Sequence, residues 1–261
     1  MSFICFLISF MASTIGAICG VGGGVIIKPV LDLFGVASVS TVSFLSGCTV
    51  LSMTCYSVGK NLLAKENRVD FAIGTPLALG AAVGGVLGKQ LFSSVKAMFP
   101  NPEMVGCVQA ACLAIVTVAT FVYTLKKANI NTHRVSSKAA CVVIGLALGL
   151  MSSFLGIGGG PINLVVLFFF FSMETKTAAQ NSLYIILFSQ IASLITTVVS
   201  RQIPQFEIPV LLLMIAGGIG GGIMGRSLNK KLSNTAVDRL FLLLMAVIIG
   251  ISLYNTVKYI A

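Results

Sequence analysis

Apolar residues run along this chain in blocks of about twenty or more, separated by short polar stretches, and the blocks fall at 2–35, 38–58, 71–94, 103–125, 139–173, 177–199, 206–228 and 236–258. Blocks of that length with few charges mark helices that cross a bilayer, since about 20 residues rising 1.5 Å each cover a hydrocarbon core of about 30 Å. The pattern predicts an all-α integral membrane protein of eight hydrophobic segments. Two of them are anomalous. Segments 2–35 and 139–173 would each be about 50 Å long as one helix. Each also contains a glycine cluster, Gly20-Val21-Gly22-Gly23-Gly24 in the first and Gly156-Ile157-Gly158-Gly159-Gly160 in the second. Glycine weakens a helix interior, so each long segment reads as a helix, a break and a second helix, either passing through or folding back as a re-entrant hairpin.

The two clusters belong to a repeat. Gly20 aligns with Gly156 at an offset of 136 residues, and at that offset Thr41 and Ser46 fall on Thr177 and Ser182. One residue out of step, the run from Gly80 to Lys89 parallels the run from Gly217 to Arg226, pairing glycine with glycine or base with base at five positions. This is the trace of a duplication. It divides the chain into a first transmembrane repeat at 1–125, a basic linker at 126–138 and a second repeat at 139–261, together one membrane domain with four segments in each half.

Composition and charge sharpen this picture. Of the 261 residues, 57% are hydrophobic and 9% charged, against about 25% charged in a soluble fold. A net charge of +10 would point to nucleic acid in a soluble chain. Here the bases lie in short loops, so no nucleic-acid partner is expected and the lipid bilayer is the first partner. Loops on the cytoplasmic face carry the excess of Lys and Arg. If all eight segments cross, the bases split eight against nine; if the first and fifth are re-entrant, they split twelve against five. The second split is the one the rule favours. It places the N-terminus outside and the 59–70, 126–138 and 226–239 loops in the cytoplasm. With three full crossings per half, the repeats must then be inverted, and their two glycine tips are expected to meet near the midplane. The leading MSFICFLISFMAS has no basic region and reads as retained structure, not as a cleaved signal.

A helix break inside lipid survives only where protein covers it or where it lines a polar cavity, and paired breaks in corresponding places mark a transporter's binding site. The helix after each break presents free N–H groups and a partial positive charge, and glycines let an anion approach the backbone. Gly22, Gly23, Gly24, Gly158, Gly159, Gly160 and Pro161, a good first helical residue, are therefore the candidate anion-binding residues. The competing reading is that glycines only let helices pack closely; it suits the 80–88 and 217–225 runs better than the breaks. Polar side chains within apolar segments join the candidates: Ser46, Thr49, Gln109, Thr117, Asn163, Gln190 and, as the strongest, the consecutive Gln180, Asn181 and Ser182. Lys28 either reaches toward an anion or snorkels to the interface. No acidic residue sits clearly inside a segment, Asp32 being near the end of one, so a buried carboxylate for proton coupling is not expected. Seven cysteines without C-x-x-C spacing and a single histidine, His133 in the basic loop, form no catalytic or metal constellation. No catalytic residue, metal or cofactor is expected.

These residues carry a resemblance. Gly20-Val-Gly-Gly-Gly-Val-Ile-Ile-Lys-Pro-Val-Leu in the first half and Gly156-Ile-Gly-Gly-Gly-Pro-Ile-Asn-Leu in the second, followed by Lys176-Thr177-Ala178 and Asn181-Ser182, resemble the TauE/SafE sulfite exporter family, also called the toluene-sulfonate uptake permeases. The resemblance spans nearly the whole chain. It implies a multi-pass bacterial inner-membrane transporter of sulfite, sulfoacetate or another organosulfonate. The expectation is a secondary transporter, an exporter first, moving a small sulfur-containing anion by alternating access. An anion channel or an uptake permease built on the same helix termini is the alternative, and the sequence is compatible with a homodimer. An intramembrane enzyme is disfavoured, since no nucleophile, base and metal cluster is present.

Overall fold

The computed structural model describes residues 2–63, 68–99, 102–157 and 159–260. It is all helical, in the order α1 (Ser2–Cys19), α2 (Gly24–Phe34), α3 (Val39–Leu62), α4 (Phe71–Met98), α5 (Pro102–Lys126), α6 (Lys138–Leu155), α7 (Pro161–Phe171), α8 (Thr175–Val199), α9 (Ile208–Lys231) and α10 (Asn234–Ile260). Among the described residues, eight helices are long and apolar enough to cross a membrane, and α2 and α7, at 11 residues each, are not. Each long sequence segment thus divides at its glycine cluster. Local chemistry sets the boundaries. The Asp70 carboxylate accepts from the Ala72 and Ile73 amides and starts α4; the Ser38 hydroxyl accepts from the Thr41 amide at the head of α3. Gly35, at φ 60°, closes α2 in the left-handed conformation that terminates helices.

Contacts between helices fix their directions. Along α1 and α9, Gly217 lies against Phe6 and Phe10, Gly221 against Phe10 and Ser13, and Gly225 against Thr14 and Ala17, so these two helices run side by side in the same sense. Gly218 beside Ser52 and Thr49, Gly222 beside Met53 and Ser57, and Arg226 bonded to Asn61 show that α3 shares it. If α1 and α3 run the same way, α2 between them must turn back. Its contacts with α10 agree: Asn255 donates to the Pro29 carbonyl (2.9 Å) and Lys258 to the Leu33 carbonyl (2.9 Å). In the other half, Gly80, Gly84 and Gly88 climb α6 from Val142 to Leu146 to Leu150. Gly74 against Asn181 and Ser93 bonded to Gln202 give α8 the same direction as α4. By the same logic α7 turns back. Helices α5 and α10 are antiparallel, with Gly106 against the Tyr259 ring at one end and Lys127 paired with Asp238 (2.6 Å) at the other.

The pairings are exchanged between the halves: the first helix of each half packs on the third long helix of the other, α1 on α9 and α6 on α4. Glycine makes this possible. A Cβ on Gly84 would meet the Leu146 carbonyl oxygen, and one on Gly149 the Ala81 carbonyl oxygen, so the α4 and α6 backbones touch. In lipid such close packing supplies the attraction between helices that the hydrophobic effect does not. Gathered at one end of the bundle are the ends of α3, α5 and α9 and the starts of α4, α6, α8 and α10. Lys60, Arg68, Lys126, Lys127, Arg134, Lys138, Lys176, Arg226, Lys230, Lys231 and Arg239 lie there or in its loops. This is the basic end. Gly84→Ala is expected to destabilise the protein by about 1–3 kcal/mol, the usual effect of overpacking. Gly250, whose Cβ would meet nothing within 4 Å, is expected to gain up to about 1 kcal/mol as alanine. Thermal unfolding in detergent compares the two.

Candidate functional site

The two glycine breaks touch each other. A Cβ on Gly24 would strike the Ile157 carbonyl oxygen in the opposite break and lie 2.9 Å from the Ser46 hydroxyl. Gly20 is pressed against Ala179 of α8, and Gly156 against Ser43 of α3. Ala179 and Ser43 are themselves 136 residues apart, so each break rests on the position equivalent to the one its counterpart uses. The backbone here needs glycine for its shape as well as its size, with φ of 78° at Gly20, 73° at Gly22, 66° at Gly156 and 135° at Gly159. Buried hydroxyls surround it. Ser13, Ser43, Ser46, Ser153 and Ser182 have no hydrogen-bond partner among the described residues, nor has the amide oxygen of Asn163. That many unpaired polar atoms around one place in an apolar interior is the chemistry of a site that binds something polar.

Two cavities approach the breaks from opposite ends of the bundle. The cavity at the basic end, about 100 Å³, is walled by Ala17, Ser57, Asn61, Arg68, Lys176, Ala179, Gln180, Leu183, Arg226, Asn229 and Lys230. The other, about 20 Å³, is walled in part by Ser43, Phe44, Gly47, Lys89, Phe92, Ser153, Ser193 and Thr197, with Gly156 in its floor. The walls correspond. Ala17, Ser57 and Asn61 map onto Ser153, Ser193 and Thr197 at an offset of 136 residues, and Ala179, Gln180 and Leu183 onto Ser43, Phe44 and Gly47. Arg226 and Asn229 map onto Lys89 and Phe92 at the offset of 137 that relates the later glycine runs. One cavity is the duplicated image of the other, wide at one end and nearly shut at the other.

Of the residues nominated from sequence, Gln180 stands in the wall of the wide cavity, where its side-chain oxygen accepts from the Arg68 amide (3.2 Å). Gly22, Gly23, Gly24, Gly159, Gly160 and Pro161 form the breaks and the starts of α2 and α7, with Pro161 in the first turn. Gly158 lies outside the described residues. Ser46 and Ser182 are fully buried at equivalent positions of α3 and α8. Asn181 spends its amide on the chain before α4: its oxygen accepts from the Asp70 amide (3.1 Å) and its nitrogen donates to the Arg68 carbonyl (3.1 Å). The polar wall residues Ser57, Asn61 and Asn229 were not singled out from sequence, and Arg226 and Lys176 were read as topology signals. The pairing of Arg226 with Lys89 in the repeat was the signal that could have promoted them.

Comparison with known proteins points to membrane transporters. The family model of the sulfite exporters TauE/SafE matches residues 5–253. The chain is 22% identical over 256 residues to the probable membrane transporter protein YunE of Bacillus subtilis (strain 168), covering 91% of this chain and 92% of that one. It is 23% identical over 184 residues to the probable membrane transporter protein YdhB of the same organism, 69% of this chain and 72% of that one. Over 120 residues it is 30% identical to the probable membrane transporter protein MamO of Magnetospirillum gryphiswaldense, 44% of this chain and 19% of that one. No solved structure matches.

One expectation needs correcting. Asp32 is buried, 7% exposed, and its carboxylate accepts from the Lys28 ammonium (2.6 Å), itself 3% exposed. Sequence placed this acid near a segment end, which is true along the chain. Helix α2 turns back and packs on α10, whose Lys258 donates to the Asp32 carbonyl (3.3 Å), and that packing is what buries it. The i, i+4 spacing on one helix brings the two charges together, and the Lys28 stem passes 3.6 Å from where a Gly156 Cβ would lie. The lysine's outer stem therefore lies against the second break, and its amine is paired with Asp32 instead of snorkelling outward. Removing one partner strands the other charge, so Lys28→Met is expected to cost about 3–5 kcal/mol, while Lys28→Met with Asp32→Leu recovers most of it. Equal unfolding temperatures for the single and double variants in detergent would show that the pair holds nothing.

Proposed function

The chain belongs to the TauE/SafE sulfite exporter family and is a multi-pass membrane transporter of the cell membrane, and from that premise we propose that it is a secondary transporter exporting a small sulfur-containing anion, sulfite or an organosulfonate, by alternating access. The substrate is held at the paired breaks, where the amides opening α2 and α7 and the unpaired hydroxyls of Ser46 and Ser182 supply donors and the helix N-termini supply positive potential. Two inverted repeats rock against each other around it. The exchanged helix partners, α1 with α9 and α6 with α4, support two interlocked bodies of this kind.

A single observation carries the proposal: the two cavities are equivalent by duplication yet differ in size, about 100 Å³ against about 20 Å³. Two symmetric conformations related by exchanging the halves' roles would open one cavity as the other closes. A channel needs both open together. The wide cavity lies at the end rich in Lys and Arg, which the positive-inside rule assigns to the cytoplasm, so this conformation faces inward.

In proteoliposomes, sulfite is expected to move faster than in empty vesicles and to saturate, and Gly159→Leu, which forces a side chain onto a φ of 135° and against Ile186, is expected to abolish the difference. Cysteines placed at Ser57 and Ser193 should be alkylated from opposite faces by a membrane-impermeant reagent, with modification of one slowed when the other is already blocked by a bulky adduct. Simultaneous full reactivity at both positions in every molecule, or single-channel currents, would refute alternating access.

A further inference from the structure

The two cavities are images of each other in shape of wall but not in charge. The wide one presents Arg68, Lys176, Arg226 and Lys230, and among its described lining residues there is no acid. Traced through the duplication, Lys176 becomes Ser40, whose hydroxyl accepts from the Lys96 ammonium (2.9 Å) outside the cavity wall, Lys230 becomes Ser93 and Arg68 becomes Pro204 or Gln205 according to register. Lys89, the image of Arg226, is the one base in the wall of the narrow cavity. The neutral hydrogen-bonding groups are moved rather than lost, since the narrow cavity has Gln109 and Gln190 in its own wall, so the two differ chiefly in charge. At the mapped positions Gln180 becomes Phe44 and Asn229 becomes Phe92.

Resting on the transporter reading above, we propose that the wide cavity contains an anion-capture site of its own, separate from the glycine breaks, which takes a small oxyanion carrying two negative charges, and that the opposite cavity has no such site. Arg226 is fixed for this role. Its Nε donates to the Asn61 side-chain oxygen (2.8 Å) and one terminal nitrogen to the Lys60 carbonyl (3.1 Å), which orients the planar guanidinium at the cavity wall. Lys176, in the first turn of α8, faces the same space, and the Ser57 hydroxyl, 1% exposed and without a partner among the described residues, lines it. A cavity of about 100 Å³ has room for a tetrahedral or pyramidal oxyanion together with water. Positive-inside topology alone requires bases in the loops of this end. It does not require four of them, an unpaired serine and three carboxamides to converge on one cavity. The site adds an on-pathway well at the inner mouth, raising the local concentration of a doubly charged anion near the breaks, as a focused field does in any charged cleft. Microscopic reversibility then fixes a consequence. In the absence of a gradient the site lowers the half-saturating concentration from the cytoplasmic face, and the maximal rates in the two directions differ by the same factor.

The test is equilibrium binding to the purified full chain in a lipid-free, uncharged detergent, with sulfite at alkaline pH as the dianion and methanesulfonate as a monoanion. Wild type is expected to bind sulfite at least tenfold more tightly than methanesulfonate, and added salt is expected to weaken the dianion more. Lys176→Gln and Arg226→Gln are each expected to weaken sulfite binding tenfold or more with a smaller effect on methanesulfonate. Lys89→Gln, at the equivalent place in the opposite cavity, is expected to stay within twofold. Because Arg226 also holds Asn61 and the end of α3, Lys176→Gln is the deciding variant. Wild-type dianion affinity in Lys176→Gln, or equal losses in Lys176→Gln and Lys89→Gln, overturns the capture site while leaving the central reading standing; a wild-type protein with no flux for either anion fails that reading instead.

Discussion

Everything in this fold follows from the difficulty of stopping a helix halfway across a bilayer. The last carbonyls of α1 and α6 and the first amides of α2 and α7 have no intrahelical partners, and hydrocarbon provides none. The molecule answers by placing the two interruptions against each other. Gly24 lies on the Ile157 carbonyl, Gly20 on α8 and Gly156 on α3, so each loose stretch is covered by protein from the other half. Each half adds cover to its own break, through Ser13 and Ser46 in the first and Ile186 in the second. A bundle with one interrupted helix would have to hide it in a solid core, whereas two make a shared, partly polar centre, with Ser46 and Ser182 fully buried on either side.

That mutual cover has a cost in rigidity that function uses. Close helix pairs run between the halves, α1 on α9 and α6 on α4, through glycines whose backbones touch. Contacts of that kind are strong along the pair and offer few interlocked side chains across it. The wall residues of the two cavities sit on these same helices and on α3 and α8. Under the proposed alternating access, a small rotation of one pair against the other would widen one cavity and narrow its image without remaking the core. The apolar cluster that includes Val21, Leu155, Ile157 and Ile185 reaches both breaks, so the centre is packed around them.

Much of this was legible in the chain. The eight segments, the division of the first and fifth at their glycines and the family all came from pattern: block length reports bilayer thickness, and five consecutive positions rich in glycine cannot continue a helix inside lipid unless something nearby needs the break. What pattern could not carry was lateral placement. Lys176 and Arg226 look the same whether they flank a helix for topology or converge on a cavity, because the convergence is made by α8 and α9 meeting α3 across 50 residues or more of sequence. Asp32 was misjudged for a related reason. Distance from a segment end measures depth only in a helix that crosses, and α2 does not. Asn181 looked like a ligand because it is polar in an apolar run; its partners, the Asp70 amide and the Arg68 carbonyl, belong to a stretch of the other half that sequence gives no reason to bring near.

The buried Lys28–Asp32 pair makes sense only in this setting. A pair of opposite charges removed from water is rarely a source of net stability, since desolvation offsets much of the attraction. Its effect is to fix an arrangement. Helix α2 has 11 residues, too few to span or to be stable alone, and it is held by its neighbours: the Asn255 amide on Pro29 and the Lys258 ammonium on Leu33 from α10. Within it, the ammonium of Lys28 has one acceptor on its own face, and taking it draws the lysine stem along Gly156 of the opposite break. A rotated α2 would leave both charges facing apolar side chains. The α10 contacts thus set the angle of the short helix, and the pair lets it carry a buried charge on the face turned to the second break.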